Sequence, residues 1–91
     1  MDMESDAHTV RLRRLKFRAW HRGIREMDLI FGRFADARLD ELDEADLAAF
    51  EVLLDEQDKD VFSWYCGEVP LPPEHDTPFF AKLRAFPVHQ M

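Results

Sequence analysis

The sequence predicts an all-α domain, a compact small bundle of about five helices. Apolar residues recur three and four positions apart along most of the chain, the spacing that aligns one face of a helix. β-Branched residues are scarce, which argues against a sheet. The three glycines and five prolines fall mainly between the periodic stretches, where they act as stops. With 91 residues, the chain is expected to form one domain. Such a chain buries roughly 60–65% of its unfolded surface, enough for one core but not for a deep cavity. The expected organisation is a polar tail over residues 1–8, a helical domain over 9–87 and a short tail over 88–91.

Each element has its own local signals. Thr9 is a candidate cap for a first helix running to about Arg22, with Leu12, Leu15 and Ala19 on one stripe and Val10, Phe17 and Trp20 beside it. Gly23 stands where a helix ends on a left-handed residue. A second helix is expected over residues 24–38, with Ile24, Met27, Phe31 and Phe34 on its apolar face. Gly32 lies inside it at a cost of about 1 kcal/mol relative to alanine. Simple tolerance is the first explanation for that glycine, and close approach of another helix is the second.

Asp43 can accept from the first turn of a third helix, whose apolar face is Leu47, Phe50, Leu53 and Leu54. Asp58 is a candidate cap for a short fourth helix carrying Val61, Phe62, Trp64 and Tyr65, which Gly67 ends. Residues 68–76 read as a proline-rich loop. Thr77 and Pro78 then form a start signal for a fifth helix with Phe79, Phe80, Leu83 and Phe86, stopped by Pro87.

Composition excludes several functions. Net charge is −7, but residues 1–34 carry eight Lys/Arg against five Asp/Glu, while the remainder carries four against fourteen. Most of this surface repels phosphate, so nucleic acid is not an expected partner, despite the local run RLRRLKFR. No apolar run approaches the roughly 20 residues that span a membrane. The single cysteine, Cys66, fits a reducing compartment. The acidic N-terminus resembles neither a secretory signal nor a mitochondrial presequence, so a bacterial-type cytoplasmic protein is expected.

No catalytic constellation emerges. His8, His21, His75 and His89 are scattered without metal-ligand spacing and read as surface residues, and Cys66 reads as a packed thiol. No glycine-rich phosphate cradle or dinucleotide fingerprint is present. The aromatic residues, at helical spacing, are first of all core.

The exception is HRGIREMD, residues 21–28. Arg22 closes one helix and Glu26 opens the next, each with the sign that suits the helix dipole. Caps and a turn would explain both. Arg25 and Asp28 add alternating charges around a glycine with no side chain, an arrangement that also suits a protein partner making backbone and charge-assisted hydrogen bonds.

These residues carry a resemblance. Arg22-Gly23-Ile24-Arg25-Glu26, continued by Asp28, resembles the RGxxE signature of the small succinate dehydrogenase assembly factors that promote covalent attachment of FAD to the flavoprotein subunit. LLDEQDKDVFSW, residues 53–64, resembles the family's second segment, and Gly67 with the following prolines resembles its loop. Together the similar stretches cover about residues 10–75. His21 and Ile24 depart from the residues usual at those positions, outside the signature letters. The resemblance implies a chaperone-like factor rather than an enzyme. Its partner would be the flavoprotein subunit of succinate dehydrogenase and, in some bacteria, that of fumarate reductase.

By the same resemblance, FAD is the group joined to a histidine of the partner and is not stably bound by the factor. Arg22, Gly23 and Glu26 would lie in the partner interface, with Arg25 and Asp28 beside them. The resemblance does not fix the oligomeric state, for which a monomer is the favoured expectation. The rival reading from the residues is a small regulatory binder of antitoxin-like type that uses the basic first helix.

Overall fold

Among the described residues, five α-helices form where the periodicity places them. The structure is a computed structural model and describes residues 7–87, so the expected tail over 88–91 and residues 1–6 of the expected tail over 1–8 lie outside the described residues, while the last two residues of that tail, Ala7 and His8, belong to a helix. The helices are α1 (Ala7–Trp20), α2 (Arg25–Arg38), α3 (Glu44–Leu54), α4 (Asp58–Cys66) and α5 (Pro78–Ala85). Short 3-10 turns at Leu39–Glu41 and Pro73–His75 shape the connections after α2 and before α5. Among the described residues there is no strand, and no helix is long and apolar enough to cross a membrane.

The caps explain most boundaries. Asp43 accepts the Asp46 N–H at 2.8 Å, and the Thr77 hydroxyl accepts the Phe80 N–H at 3.2 Å beside Pro78 in the first turn. Gly67 closes α4 with φ 81°, a left-handed conformation that costs glycine nothing. Three expectations fail. Thr9 does not start α1, because Ala7 and His8 are already helical. Asp58 is the first residue of α4 rather than its cap. Gln57 holds that position without a side-chain bond, and the Asp58 carboxylate is engaged elsewhere. Gly23 is not left-handed, since among the described glycines only Gly67 has positive φ. The first helix instead ends at Trp20, two residues earlier than expected.

The core lies where α2, α3 and α5 meet. Phe34 sets its ring edge against Phe50, Phe79 and Phe86 at centroid distances of 6.1, 5.5 and 5.6 Å, and Phe50 stacks on Phe79 at 4.8 Å. Such pairs contribute about 0.5–1.5 kcal/mol each beyond area burial. Leu15 and Ala19 of α1 and Val61 and Trp64 of α4 complete the core from either side. Phe17 does not join them. It is 62% exposed and stacks on His21 at 3.9 Å.

Gly32 has the less expected explanation of the two. The Trp20 ring crosses its backbone so closely that an added Cβ would lie 2.3 Å from Cδ2 of the indole. The indole N–H donates to Asp36 at 3.2 Å, which fixes the ring in place. The end of α1 thus docks flat on α2.

Ion pairs join the basic and acidic parts of the chain. Arg11 donates to both oxygens of Glu51 at 2.8 and 2.9 Å and to both oxygens of Glu44 at 2.7 and 2.8 Å. Arg18 reaches Asp55 at 2.7 Å. Lys82 of α5 pairs with the buried Asp46 of α3, which raises the lysine's pKa. Hydrogen bonding to Glu51, then Glu44, likewise raises that of Arg11, and the Arg11 hydrogen bonds hold the Glu51 carboxyl below its usual range.

This packing makes Gly32 and Glu51 testable. Gly32→Ala should destabilise the protein by about 1–3 kcal/mol, the range for overpacking, despite alanine's better helix propensity. Urea unfolding monitored by circular dichroism measures this, and a stabilised variant would contradict the Trp20 contact. A carboxyl with a lowered folded pKa contributes fully above its ordinary value of about 4.3 and loses that contribution as pH falls through the lowered value. The wild-type melting temperature should therefore drop on acidification below about pH 4.3, and Glu51→Gln should drop less over the same window.

Candidate functional site

The link between α1 and α2 is built by two carboxylates from different helices. After Trp20 the chain leaves the helix, and the backbone N–H groups of residues 22 and 23 lose their helical acceptors. Asp28, one turn into α2, reaches back and accepts the Arg22 N–H at 2.6 Å. Asp58, at the start of α4, accepts the next one, from Gly23, through Oδ2. Two consecutive amides are thus held by two separate acids, which fixes the peptide between them.

The Arg22 side chain is used inside the fold. Its Nε donates to Asp58 Oδ1 at 2.7 Å, and its terminal nitrogens donate to the carbonyls of Leu54 at 2.9 Å and Glu56 at 3.2 Å. The guanidinium also lies 5.6 Å from the Phe31 ring centre. The Arg22 and Asp58 side chains are only 11% and 13% exposed. Arg22 therefore fills the junction between α3 and α4 and supplies the acceptor-rich end of α3 with donors.

The rest of the signature faces outward. Gly23, Ile24, Arg25 and Glu26 are all exposed, and Ile24 offers an apolar side chain at 38% exposure. Among the described residues neither Arg25 nor Glu26 has an ion pair or side-chain hydrogen bond. Ile24 occupies the N-cap position of α2 with no side-chain cap, so the first amides of that helix stay open to an outside acceptor. Of the five residues expected at a partner surface, the structure brings all into one turn. It presents Gly23, Arg25 and Glu26, and gives Arg22 and Asp28 internal partners.

A shallow cleft of about 170 Å³ continues this surface between α2 and α4, lined by Glu26, Leu29, Ile30, Phe62, Tyr65 and Cys66. Burial raises the pKa of the Tyr65 phenol, and nearby Cys66 adds to the rise. Cys66 is exposed, not packed as expected, because α4 ends there and turns its last residue out. His75 departs the other way. It is 4% exposed, with Nε2 at 2.8 Å from a Glu56 carboxylate oxygen and its ring beside Trp64. His8 and His21 are exposed as expected, and His89 lies outside the described residues. Among the described residues no cluster of His, Cys, Asp and Glu could hold a metal ion.

Neither the role of Asp58 nor the cleft is expected from the sequence. The run DEQDKD carries more carboxylates than a cap requires, which is the one available signal for Asp58. The cleft has none, because it arises from the packing of α2 against α4.

The profile of the Sdh5 family, described as the flavinator of succinate dehydrogenase, matches residues 13–87, a span that includes both carboxylates and the whole turn. The chain belongs to this family. Relatives include the FAD assembly factor SdhE of Acetobacter pasteurianus, 38% identical over 78 residues, covering 86% of this chain and 72% of the relative. The FAD assembly factor SdhE of Colwellia psychrerythraea is 44% identical over 54 residues, 59% of this chain and 58% of the relative. The mitochondrial succinate dehydrogenase assembly factor 2 of Mycosarcoma maydis is 38% identical over 69 residues, 76% of this chain but 29% of the relative. The chain thus spans most of the Acetobacter protein and less than a third of the Mycosarcoma one. The family assignment agrees with the resemblance carried by RGxxE and gives no support to an antitoxin-like binder. On the basic first helix that the rival would use, Arg11 and Arg18 are paired with acids of α3 and its C-cap, while Arg13 and Arg14 are exposed.

Arg22→Ala should leave Asp58 without its cation in a largely desolvated place, a loss of about 3–5 kcal/mol. Thermal and chemical unfolding measure it, and a change under about 0.5 kcal/mol, typical of surface substitutions, would contradict the internal role of Arg22.

Proposed function

We propose that this chain binds the flavoprotein subunit of succinate dehydrogenase and promotes covalent attachment of FAD to it. Membership of the flavinator family supports this, as do relatives named FAD assembly factor and succinate dehydrogenase assembly factor 2. The observation that carries it to a site is the signature turn, held from within by Arg22, Asp28 and Asp58 and open outward at Gly23, Ile24, Arg25 and Glu26.

In this reading the bare backbone at Gly23 lets the partner surface approach closely. Arg25 and Glu26 offer charges of both signs, and the uncapped start of α2 offers amides to a partner acceptor. Arg22 and Asp28 act on the partner through the turn they hold. FAD is the group joined to a histidine of the flavoprotein, and bond formation belongs to that subunit. The factor promotes the reaction by binding the competent conformation of the flavoprotein more tightly than others, since equal affinity for all conformations would shift nothing. The fumarate reductase flavoprotein is a second partner of the same kind. The factor works as a cytoplasmic monomer.

The test is co-expression with the flavoprotein subunit in a host lacking its own assembly factor, followed by in-gel fluorescence of covalent flavin after denaturation. A strong rise is expected. Glu26→Ala, which touches no described partner within the fold, should keep the melting temperature and weaken flavoprotein binding about tenfold or more, with less flavin attached. Gly23→Arg should abolish the rise. No rise with both proteins folded, soluble and supplied with FAD would overturn the proposal.

A further inference from the structure

Asp58 lies 35 residues from Gly23 and outside the RGxxE letters, yet it bonds two residues of the signature at once. Three observations single it out. Its two oxygens bind different groups, with Oδ1 accepting from the Arg22 side chain at 2.7 Å and Oδ2 from the Gly23 backbone. It stands in the first turn of α4 but does not cap that helix, so its carboxylate is directed at the turn instead. Finally, a Cβ on Gly23 would lie 3.0 Å from Oδ2, so the glycine and the carboxylate are fitted to each other. A side chain at this position would press on that carboxylate, which would have to give way by a few tenths of an ångström.

We propose that Asp58 is a positioning residue for partner recognition: by gripping Gly23 N–H and Arg22 together, it sets the orientation in which Gly23 to Glu26 meet the flavoprotein. This rests on the reading that the turn is the partner contact. Asp28 holds the preceding amide from α2, so the two acids fix the peptide from both sides. Without Asp58 the Gly23 amide would lose its acceptor and turn toward water, and the face beyond it would turn with it. A purely stabilising role has a different consequence. It lowers the fraction of folded molecules but leaves the affinity of each folded molecule unchanged.

The experiment uses the full chain and the FAD-loaded flavoprotein subunit. Affinity is measured at a temperature where circular dichroism shows each variant folded, and Gly23 amide exchange is followed by NMR. Asp58→Ala should weaken binding at least tenfold while folded, with Gly23 exchange rising to that of an open turn. Asp58→Asn, which keeps one acceptor oxygen, should fall between it and the wild type. Gly23→Ala should lower the melting temperature of the wild type, and this loss should shrink in the Asp58→Ala background, where the methyl group has room. Such coupling identifies the contact itself.

Wild-type affinity for folded Asp58→Ala, alongside weakened Glu26→Ala, would overturn the positioning role and leave the contact turn standing. Undiminished binding by both Glu26→Ala and Gly23→Arg would overturn the contact turn and this proposal together. Should Asp58→Ala not fold, Asp58→Asn decides by the same affinity criterion. An unprotected Gly23 amide in the wild type would overturn the proposal without any variant.

Discussion

Arg22 enters the junction of α3 and α4 and gives its hydrogens to one carboxylate and two main-chain carbonyls. Much else depends on that placement. The α3 helix ends at Leu54 with carbonyls that need donors, and Arg22 supplies one of them from outside the helix. The same guanidinium neutralises Asp58, which frees the second oxygen of that acid for the Gly23 amide. The Phe31 ring beneath ties the group to the core. One side chain therefore ends a helix, anchors a loop and shapes the turn in which it stands.

The uneven charge of the chain has a structural meaning. Arginines of the first segment face acids of α3, the loop after it and the start of α4: Arg11 meets Glu44 and Glu51, Arg18 meets Asp55, and Arg22 meets Asp58. Exposed pairs of this sort contribute little individually, about 0–1 kcal/mol. The last pair is largely desolvated and stronger. Their order along the chain follows the packing of α1 beside α3 and ends where residue 22 meets residue 58. Part of the basic end is thus an internal fastening, while Arg13 and Arg14 of α1 stay exposed. Arg25 and Glu26 lie where a partner is proposed.

Much of the fold was legible because its signals are local. Asp43 with Asp46, Thr77 with Pro78, and Gly67 after Cys66 are caps and stops written within a few residues, and each forms as expected. What stayed hidden was set by distant neighbours. Gly32 looks like a tolerated defect until Trp20 is laid across it. Gly23 looks like a left-handed stop until the Asp58 oxygen is seen beside it. Asp58 looks like a cap, but it stands one residue inside α4, and Arg22 and Gly23 engage its carboxylate. His75 is buried because Glu56 and Trp64, far away in sequence, give it both a polar partner and an apolar wall. In the candidate site, the letters of the motif were readable. The division between residues that hold the turn and residues that face outward was not.

The grip of α4 on this turn bears on how the protein is made. On a ribosome, the signature residues emerge well before residue 58 does. Until α4 is synthesised and folded back, the growing chain carries the sequence of the motif without the second of its two acids. If the turn is the partner contact as proposed, recognition is a property of the finished domain rather than of its first two helices. An excised peptide spanning residues 21–28 would hold every letter of the signature and lack the Asp58 grip that orients it.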